Sequence, residues 1–287
     1  VKPTIEKNIP EFERISRELI RNFLAKGGEV ISELALPLVM ENLGVIYNRP
    51  QDVAEWISWG PDVWTAAGPT RSGDVLHSYL DRIYAEALVG DHDDIWREIA
   101  RLEIDGKVIS ADEFRGIAGV LLAGGRDTVV KLFTGIIWHL GNSSDDFHAL
   151  KEDSTLIDSA IQEFLRFLTP LPAMARTTTP ESTASELPED RYVQISFISG
   201  NFDETVFENP GELNIRRPRN PHLSFGFGPH TCLGNHIAEI ETKVFLKVLL
   251  EEDYNWKVSP ETKIKFYEGD LAKVPDHMAS VWISRSS

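Results

Sequence analysis

The chain has 287 residues, of which 42% are hydrophobic and 26% charged, so it can form a large buried core and is not expected to be globally disordered. Its 29 Lys and Arg are outnumbered by 45 Asp and Glu, and the net charge of −16 disfavours binding to nucleic acid or to anionic membrane surfaces. One cysteine permits no intrachain disulfide and no signal peptide is visible, which indicates the cytoplasm, and no stretch approaches the roughly 20 apolar residues of a membrane span.

The first two thirds of the chain are predicted to be helical. Apolar residues recur at helical spacing over 9–23, and Gly27-Gly28 predicts the end of that helix. Positions 34–43 predict a second helix, which should end at Gly44. The range 61–73 is interrupted by prolines and glycines and predicts a loop, with a further helix after it.

The clearest predicted helix covers about 111–140. Ser110 and Glu113 form a capping box, in which the hydroxyl and the carboxylate satisfy each other's backbone N–H groups. Its apolar residues extend from Phe114 to Leu140, and these about 27 residues at roughly 1.5 Å each give a rod of roughly 40 Å, long enough to cross a domain. Two adjacent glycines, Gly124 and Gly125, lie in its middle. They predict either close packing against another helix or a distortion that makes room for a ligand.

After a helix over 154–167, the helical periodicity gives way to short strands. A glycine-rich loop over 225–234 then leads into a last amphipathic helix. The predicted fold class is mainly α with small β-sheets, in a single domain over 1–287. That domain should be helical to about residue 170 and a mixture of strands and loops over about 171–287. The predicted strands lie at 175–179, 192–198 and 281–283.

Cys232 is the only cysteine, and it lies where the glycine-rich loop meets the last helix. A helix N-terminus favours thiolate over thiol, so the sulfur is predicted to be a soft metal ligand or a nucleophile, with an inert buried thiol as the alternative. Zinc held by His230, Cys232 and His236 would usually recruit a second cysteine. A cysteine protease would need distant His and Asn partners, which nothing local indicates.

The loop resembles the haem-binding signature of the cytochrome P-450 family. Every specified position of F-G-x-G-x-H-x-C-x-G is matched by Phe225-Gly226-Phe227-Gly228-Pro229-His230-Thr231-Cys232-Leu233-Gly234. The resemblance implies haem b, iron protoporphyrin IX, as the cofactor, with Cys232 as the thiolate ligand of its iron. It also implies that Phe225 packs near the sulfur and that His230 faces a haem propionate. The same resemblance implies a loop kept tight against the porphyrin by Gly226, Gly228 and Gly234.

The long helix carries a second resemblance, because Gly124-Gly125-Arg126-Asp127-Thr128 is similar to the family's oxygen-activation motif A/G-G-x-D/E-T. Gly124 and Thr128 are four residues apart and share a helix face, so the glycines would leave room for haem and dioxygen there. By this resemblance Thr128 holds a water and Asp127 resupplies protons through it, which makes them the predicted catalytic pair. Arg126 lies two positions from Gly124 and from Thr128, and it is expected to point away from the iron.

Glu163-Phe164-Leu165-Arg166 is similar to the family's E-x-x-R, and Arg217 matches the later arginine that completes a buried ion-pair network with it. As a bare spacing, this pattern is common on helix surfaces. Arg176 resembles a second propionate-binding residue. Because buried propionates need cations, Arg176 and His230 are expected to supply them. Gly200-Asn201-Phe202-Asp203 resembles the A-N-R-D turn, with Phe202 in place of its arginine.

The resemblance begins just after the family's C helix, so the expected fold is a cytochrome P-450 fold of the bacterial type that is incomplete at its N-terminus. It implies a monooxygenase that inserts one atom of O2 into a small hydrophobic substrate, with electrons from a ferredoxin or flavodoxin partner. A truncated relative that binds haem or a ligand without turnover is the alternative, and a peroxide-driven oxygenase is a third. The intact Asp127-Thr128 pair favours the monooxygenase.

The substrate pocket is predicted only in outline. The residues that match the family's pocket-lining positions are all apolar, which indicates a hydrophobic substrate. They are Val120, Ala123, Pro172, Ala173 and Met174.

Overall fold

The computed structural model describes residues 5–59, 72–91, 94–180, 188–260, 262, 265–269, 272–276 and 281–285. Over these residues the chain is mainly helical with small antiparallel sheets, as the sequence predicts. The loop predicted over 61–73 lies outside them except at its last two positions, which belong to a helix.

The helices follow the apolar periodicity of the sequence, and several begin at a side-chain cap. The carboxylate of Asp94 accepts a hydrogen bond from the Arg97 N–H, and the Ser143 hydroxyl accepts one from the Asp146 N–H. The helices are α1 (Ile9–Lys26), α2 (Leu36–Ile46), α3 (Val53–Ser58), α4 (Ser72–Val89), α5 (Ile95–Ala100), α6 (Ala111–Asn142), α7 (Ser144–Glu152), α8 (Ile157–Leu168), α9 (Phe197–Asn201) and α10 (Asn235–Glu251).

Two glycines near the N-terminus behave differently from each other. Gly27 ends α1 as predicted, with φ of 70° and its N–H donating to the Phe23 carbonyl. The prediction that Gly44 ends α2 is wrong, because the helix continues to Ile46. A Cβ at Gly44 would lie 2.5 Å from a methyl carbon of Val53, so this glycine serves close packing instead.

Helix α6 is 32 residues long and runs unbroken through its two central glycines. Its N-terminus has the predicted capping box. The Ser110 N–H donates to the Glu113 carboxylate at 2.7 Å, and the Glu113 N–H donates to the Ser110 hydroxyl at 3.3 Å. The helix packs against α2, α4, α5, α8 and α10, so it crosses the centre of the described structure.

The strands form small antiparallel sheets. One sheet has the order β1 (Gly28–Glu29), β9 (Trp282–Arg285), β6 (Trp256–Val258). The other paired strands within the described ranges form three hairpins: β2 (Glu103–Ile104) with β3 (Lys107–Val108), β4 (Ala173–Thr177) with β5 (Tyr192–Ser196), and β7 (Lys265–Gly269) with β8 (Ala272–Asp276).

The predicted strands are present with shifted bounds. Strand β4 begins two residues before the predicted start, at Ala173, and ends at Thr177. Strand β5 ends at Ser196 rather than at Ile198, because the Ser196 hydroxyl accepts the Ser199 N–H and caps α9.

One continuous hydrophobic cluster contains buried residues from α1 through to β9. At its centre the rings of Phe133 on α6 and Phe245 on α10 stack with their centroids 4.3 Å apart. This contact fixes α10, and therefore the loop that precedes it, relative to the long helix.

Candidate functional site

The glycine-rich loop turns tightly before α10. Gly226 and Gly228 have φ of 68° and 70°, a region that favours glycine. The Cys232 N–H donates to the Phe225 carbonyl at 2.8 Å and closes the loop. A Cβ at Gly234 would lie 3.8 Å from the Cys232 sulfur. The Cys232 side chain is exposed, three residues before the first residue of α10.

Large apolar side chains of this loop and of α6 lack the burial that such side chains usually have. Phe227 is 85% exposed and Leu233 is 82% exposed. Val120 on α6 is 71% exposed, although both ends of that helix are packed into the core. Phe225 differs from them, because its ring lies with its centroid 5.7 Å from that of His222 and packs against the core. The loop thus presents its sulfur and its apolar side chains outward from a fixed base.

The two central glycines of α6 have different surroundings. A Cβ at Gly125 would lie 3.0 Å from Leu43 and 3.6 Å from the Tyr47 hydroxyl, so Gly125 permits α2 to pack closely. A Cβ at Gly124 would meet nothing within 4 Å among the described residues. The close-packing interpretation therefore fits Gly125, and the open space lies at Gly124. The Thr128 hydroxyl donates to the Gly124 carbonyl at 2.9 Å on this same face.

Arg126 is the residue of this segment that the sequence assigns no role. It is buried, and its Nη1 atom pairs with Oδ1 of Asp127, whose side chain is 46% exposed. The predicted acid Asp127 therefore contacts the neighbouring arginine. The predicted alcohol Thr128 hydrogen-bonds to the helix backbone.

Glu163 and Arg166 on α8 are completely buried and form a bidentate pair, with Nε and Nη2 of Arg166 both 2.8 Å from the carboxylate oxygens. Nε of Arg217 donates to the same carboxylate at 2.9 Å. Burial by itself would raise the pKa of Glu163. The hydrogen bonds from Arg166, from the Asn214 N–H and from Arg217 outweigh it, and the pKa lies below its usual value.

Arg166 also ties distant loops to α8. Its Nη1 donates to the carbonyls of Asn201 and Pro210 at 2.8 and 2.9 Å, and its Nη2 donates to the carbonyl of Glu212 at 3.0 Å. Its guanidinium is 5.4 Å from the ring of Phe202. The phenylalanine that departs from the family turn therefore packs on the ion-pair network.

The sequence assigned no contact near the network to two further residues, His222 and Asn201, although Asn201 lies in the predicted turn. His222 bridges the network and the cysteine loop, with Nε2 2.9 Å from Gln162 and Nδ1 accepting the Ser224 N–H at 3.2 Å. Burial lowers the pKa of His222 to about 4, so the ring is neutral. Asn201 joins the same region, because its Oδ1 accepts the Leu223 N–H at 2.6 Å. Neither contact has a local sequence signal, since the partners are 22 to 60 residues apart.

The two predicted propionate-binding cations are accessible to solvent. His230 is exposed in the short turn Gly228–His230, and Arg176 is partly exposed on β4, with Nη1 donating to the Ala175 carbonyl at 2.8 Å. Of the predicted pocket residues, Val120 and Ala123 lie on one stretch of α6. Ala173 and Met174 begin β4, where they pair with Ser196 and Ile195, and Pro172 precedes them.

The described residues contain no group of three or more His, Cys, Asp and Glu side chains placed to hold a metal ion. Among the same residues, no helix has both the length and the apolar character needed to span a membrane.

The model of the family described as cytochrome P450 matches residues 120–277. A steroid C26-monooxygenase of Mycolicibacterium smegmatis is 30% identical over 66% of this chain and 48% of its own length. Cytochrome P450(MEG) of Priestia megaterium is 31% identical over 89% of this chain and 66% of its own length. A solved structure described as a carbohydrate active P450 superposes with a TM-score of 0.90 at 26% identity, covering 100% of this chain and 77% of that one.

The chain belongs to the cytochrome P450 family, because more than half of it matches the family model and the whole of it superposes on a member of known structure. The resemblance seen in the sequence is thereby confirmed at the level of family and fold. The chain spans 48% to 65% of the lengths of the first relatives that it matches.

Proposed function

We propose that this protein is a haem-thiolate monooxygenase that inserts one atom of O2 into a small hydrophobic substrate, with Cys232 as the iron ligand. The observation that carries the proposal is the exposed sulfur of Cys232, held in a glycine turn at the start of α10 in a chain of the cytochrome P450 family. A helix N-terminus stabilises the thiolate that such a ligand requires.

The residues around Cys232 fit a flat, mostly apolar cofactor. Phe227, Leu233 and Val120 are large apolar side chains that lie exposed beside the sulfur loop and on α6, and a porphyrin would cover surfaces of this kind. His230 and Arg176 are the cations proposed for its propionates, and both have exposed surface available for that contact. Haem b is the form of the cofactor that we propose.

When bound, haem would supply the iron that binds and reduces dioxygen. The open space at Gly124 leaves room beside the α6 backbone. The Thr128 hydroxyl donates its own proton to the Gly124 carbonyl, so its oxygen is available to accept a hydrogen bond from a water. Asp127 is half-exposed and can exchange protons with solvent. We assign Thr128 the role of holding that water and Asp127 the role of proton supply.

The substrate and the electron donor are proposed at the level of chemical class. Val120, Ala123, Pro172, Ala173 and Met174 are the proposed pocket residues, and they offer no charged group to a substrate. The relatives' names refer to a steroid in one case and to carbohydrate activity in another, so family membership leaves the substrate open. A ferredoxin or flavodoxin docking on the cysteine side is the proposed source of electrons.

The carbon monoxide difference spectrum of the reduced protein tests the iron ligand. Cys232→Ala and Cys232→His should both lose the Soret band that is typical of thiolate ligation, because the chain has no other cysteine. His236→Ala is the matched control, since His236 is also exposed, four residues further on, and should leave the spectrum unchanged. An unchanged spectrum in Cys232→Ala would overturn the haem-thiolate assignment. A normal spectrum without product formation would favour the haem-binding relative that does not turn over.

A further inference from the structure

The contact between Arg126 and Asp127 is unusual for neighbouring residues of a helix. Successive side chains diverge by about 100° around the axis, so residues at i and i+1 do not ordinarily face each other. Here Arg126 lies on the buried side of α6, and its guanidinium contacts the carboxylate of Asp127 at the edge of the open face. The pair therefore joins a buried guanidinium to a carboxylate whose side chain is 46% exposed.

The environment of Arg126 explains why the pair should persist. Burial lowers the pKa of Arg126, while the nearby Asp127 carboxylate opposes that shift and stabilises the charged guanidinium. A buried cation gains far more from a carboxylate than an exposed one, because water no longer screens the interaction. The ion pair between Arg126 and Asp127 is therefore expected to persist in the folded protein.

We infer that Arg126 is a positioning residue for the proton supply, which holds the Asp127 carboxylate in one orientation beside the face that carries Gly124 and Thr128. This inference rests on the proposed function, in which Asp127 passes protons from solvent towards Thr128. A carboxylate fixed by a buried guanidinium samples few orientations, whereas a free half-exposed aspartate samples several rotamers. A carboxylate that is already oriented loses less conformational entropy when it transfers a proton.

The same helix offers a matched control pair. Arg115 and Asp112 also form an ion pair on α6, with Nη1 of Arg115 2.6 Å from the carboxylate of Asp112, but their side chains are 32% and 84% exposed. Nε of Arg115 also pairs with Asp81 on α4, whose side chain is 51% exposed. Such exposed pairs are worth little, and Arg115 lies about three turns of helix before Asp127. Arg115→Gln removes the same charge from the same helix without touching the proposed site.

The test is a double-mutant cycle with Arg126→Gln, Asp127→Asn and the double variant, each with two readouts. The first readout is the urea midpoint of unfolding, where the two single changes should be non-additive because each removes the same contact. The second is the rate of product formation per haem-loaded molecule, with a reductase and a ferredoxin as electron source. Asp127→Asn should slow this rate by roughly 10²–10⁴-fold, as expected for loss of a positioned acid–base group.

Arg126→Gln should lower kcat by about tenfold with little change in KM, a smaller loss than that of the acid itself. Arg126→Lys should restore much of kcat, since it returns a cation to the same place, and Arg115→Gln should change neither readout. In the Asp127→Asn background, Arg126→Gln should have no further effect on kcat. If Arg126→Gln folds too poorly to assay, the uncharged Arg126→Met replaces it, alone and combined with Asp127→Asn, and that cycle must still be non-additive.

The outcomes distinguish a failure of the proton-supply role of Asp127 from a failure of the positioning role of Arg126. Normal turnover in Asp127→Asn means that the proposed proton supply is wrong. Slow turnover in Asp127→Asn combined with full kcat per haem-loaded molecule in Arg126→Gln means that Asp127 acts alone, and the positioning role of Arg126 is then refuted. Additive unfolding midpoints refute the contact itself and do not depend on turnover.

Discussion

The buried ion pair of α8 should dominate the stability of the loops that surround the cysteine. Glu163 accepts hydrogen bonds from Arg166, Arg217, Asn220 and the Asn214 N–H, and its side chain has no exposed surface. Glu163→Gln would leave two buried guanidinium groups without their shared counter-charge. Breaking a buried pair in this way costs about 3–5 kcal/mol, which is a large part of a typical unfolding free energy of about 5–15 kcal/mol.

Urea denaturation followed by circular dichroism measures this loss. With an m-value of about 2–3 kcal/mol per M, the midpoint for Glu163→Gln should fall by roughly 1–2.5 M. The matched control is Glu11→Gln, because Glu11 and Arg14 form a pair with the same spacing of three residues at 2.7 Å, but with 44% and 58% of the two side chains exposed. That change should cost less than about 1 kcal/mol.

The pH dependence of the network follows from the lowered pKa of Glu163. A carboxyl whose pKa is lower in the folded state contributes stability above its unfolded pKa of about 4.3, and that contribution is lost as pH falls through the folded pKa. The wild-type protein should therefore lose stability at acidic pH more steeply than Glu163→Gln. Equal midpoints for Glu163→Gln and Glu11→Gln at neutral pH would refute the reasoning, since burial would then confer no advantage on the pair.

Three other predictions concern a buried glutamate, the two central glycines of α6 and the proposed catalytic threonine. Burial raises the pKa of Glu241 to about 8, against an opposing hydrogen bond from Asn42. The free energy of unfolding should therefore decline by several kcal/mol between about pH 4.3 and pH 8. Glu241→Gln should flatten that decline in urea denaturation at a series of pH values, and parallel curves for the two proteins would contradict the prediction. Gly124→Ala should raise the unfolding free energy by up to about 1 kcal/mol through helix propensity, whereas Gly125→Val should lower it by about 1–3 kcal/mol by overpacking. If Gly124→Ala is instead the more destabilising of the two changes, the open space at Gly124 and the close packing at Gly125 are both contradicted. Thr128→Ala should retain the haem spectrum but divert reducing equivalents to hydrogen peroxide, so unchanged product per reduced cofactor would remove Thr128 from the proton path.

Much of the local structure was already determined by the sequence, because it depends on neighbours along the chain. The period of apolar residues, the Ser110 capping box and the glycine after α1 each act within a few residues, and the structure has all three. The cysteine loop is of the same kind, since its two left-handed glycines and the start of α10 are fixed by ten consecutive residues. The family could be recognised from that loop, and the family model confirms it.

Burial and contacts between distant segments were decided only by the tertiary structure. Glu11–Arg14 and Glu163–Arg166 have the same spacing, yet one pair is exposed and the other has no exposed surface, because only α8 is enclosed by loops from 35 to 57 residues further on. The sequence predicted that Arg126 points away from the iron, and it gave no sign that the buried guanidinium contacts the carboxylate of Asp127. The physical reason is that solvent exposure, which sets the strength of each charge pair, is a property of the whole packed chain and not of its local order.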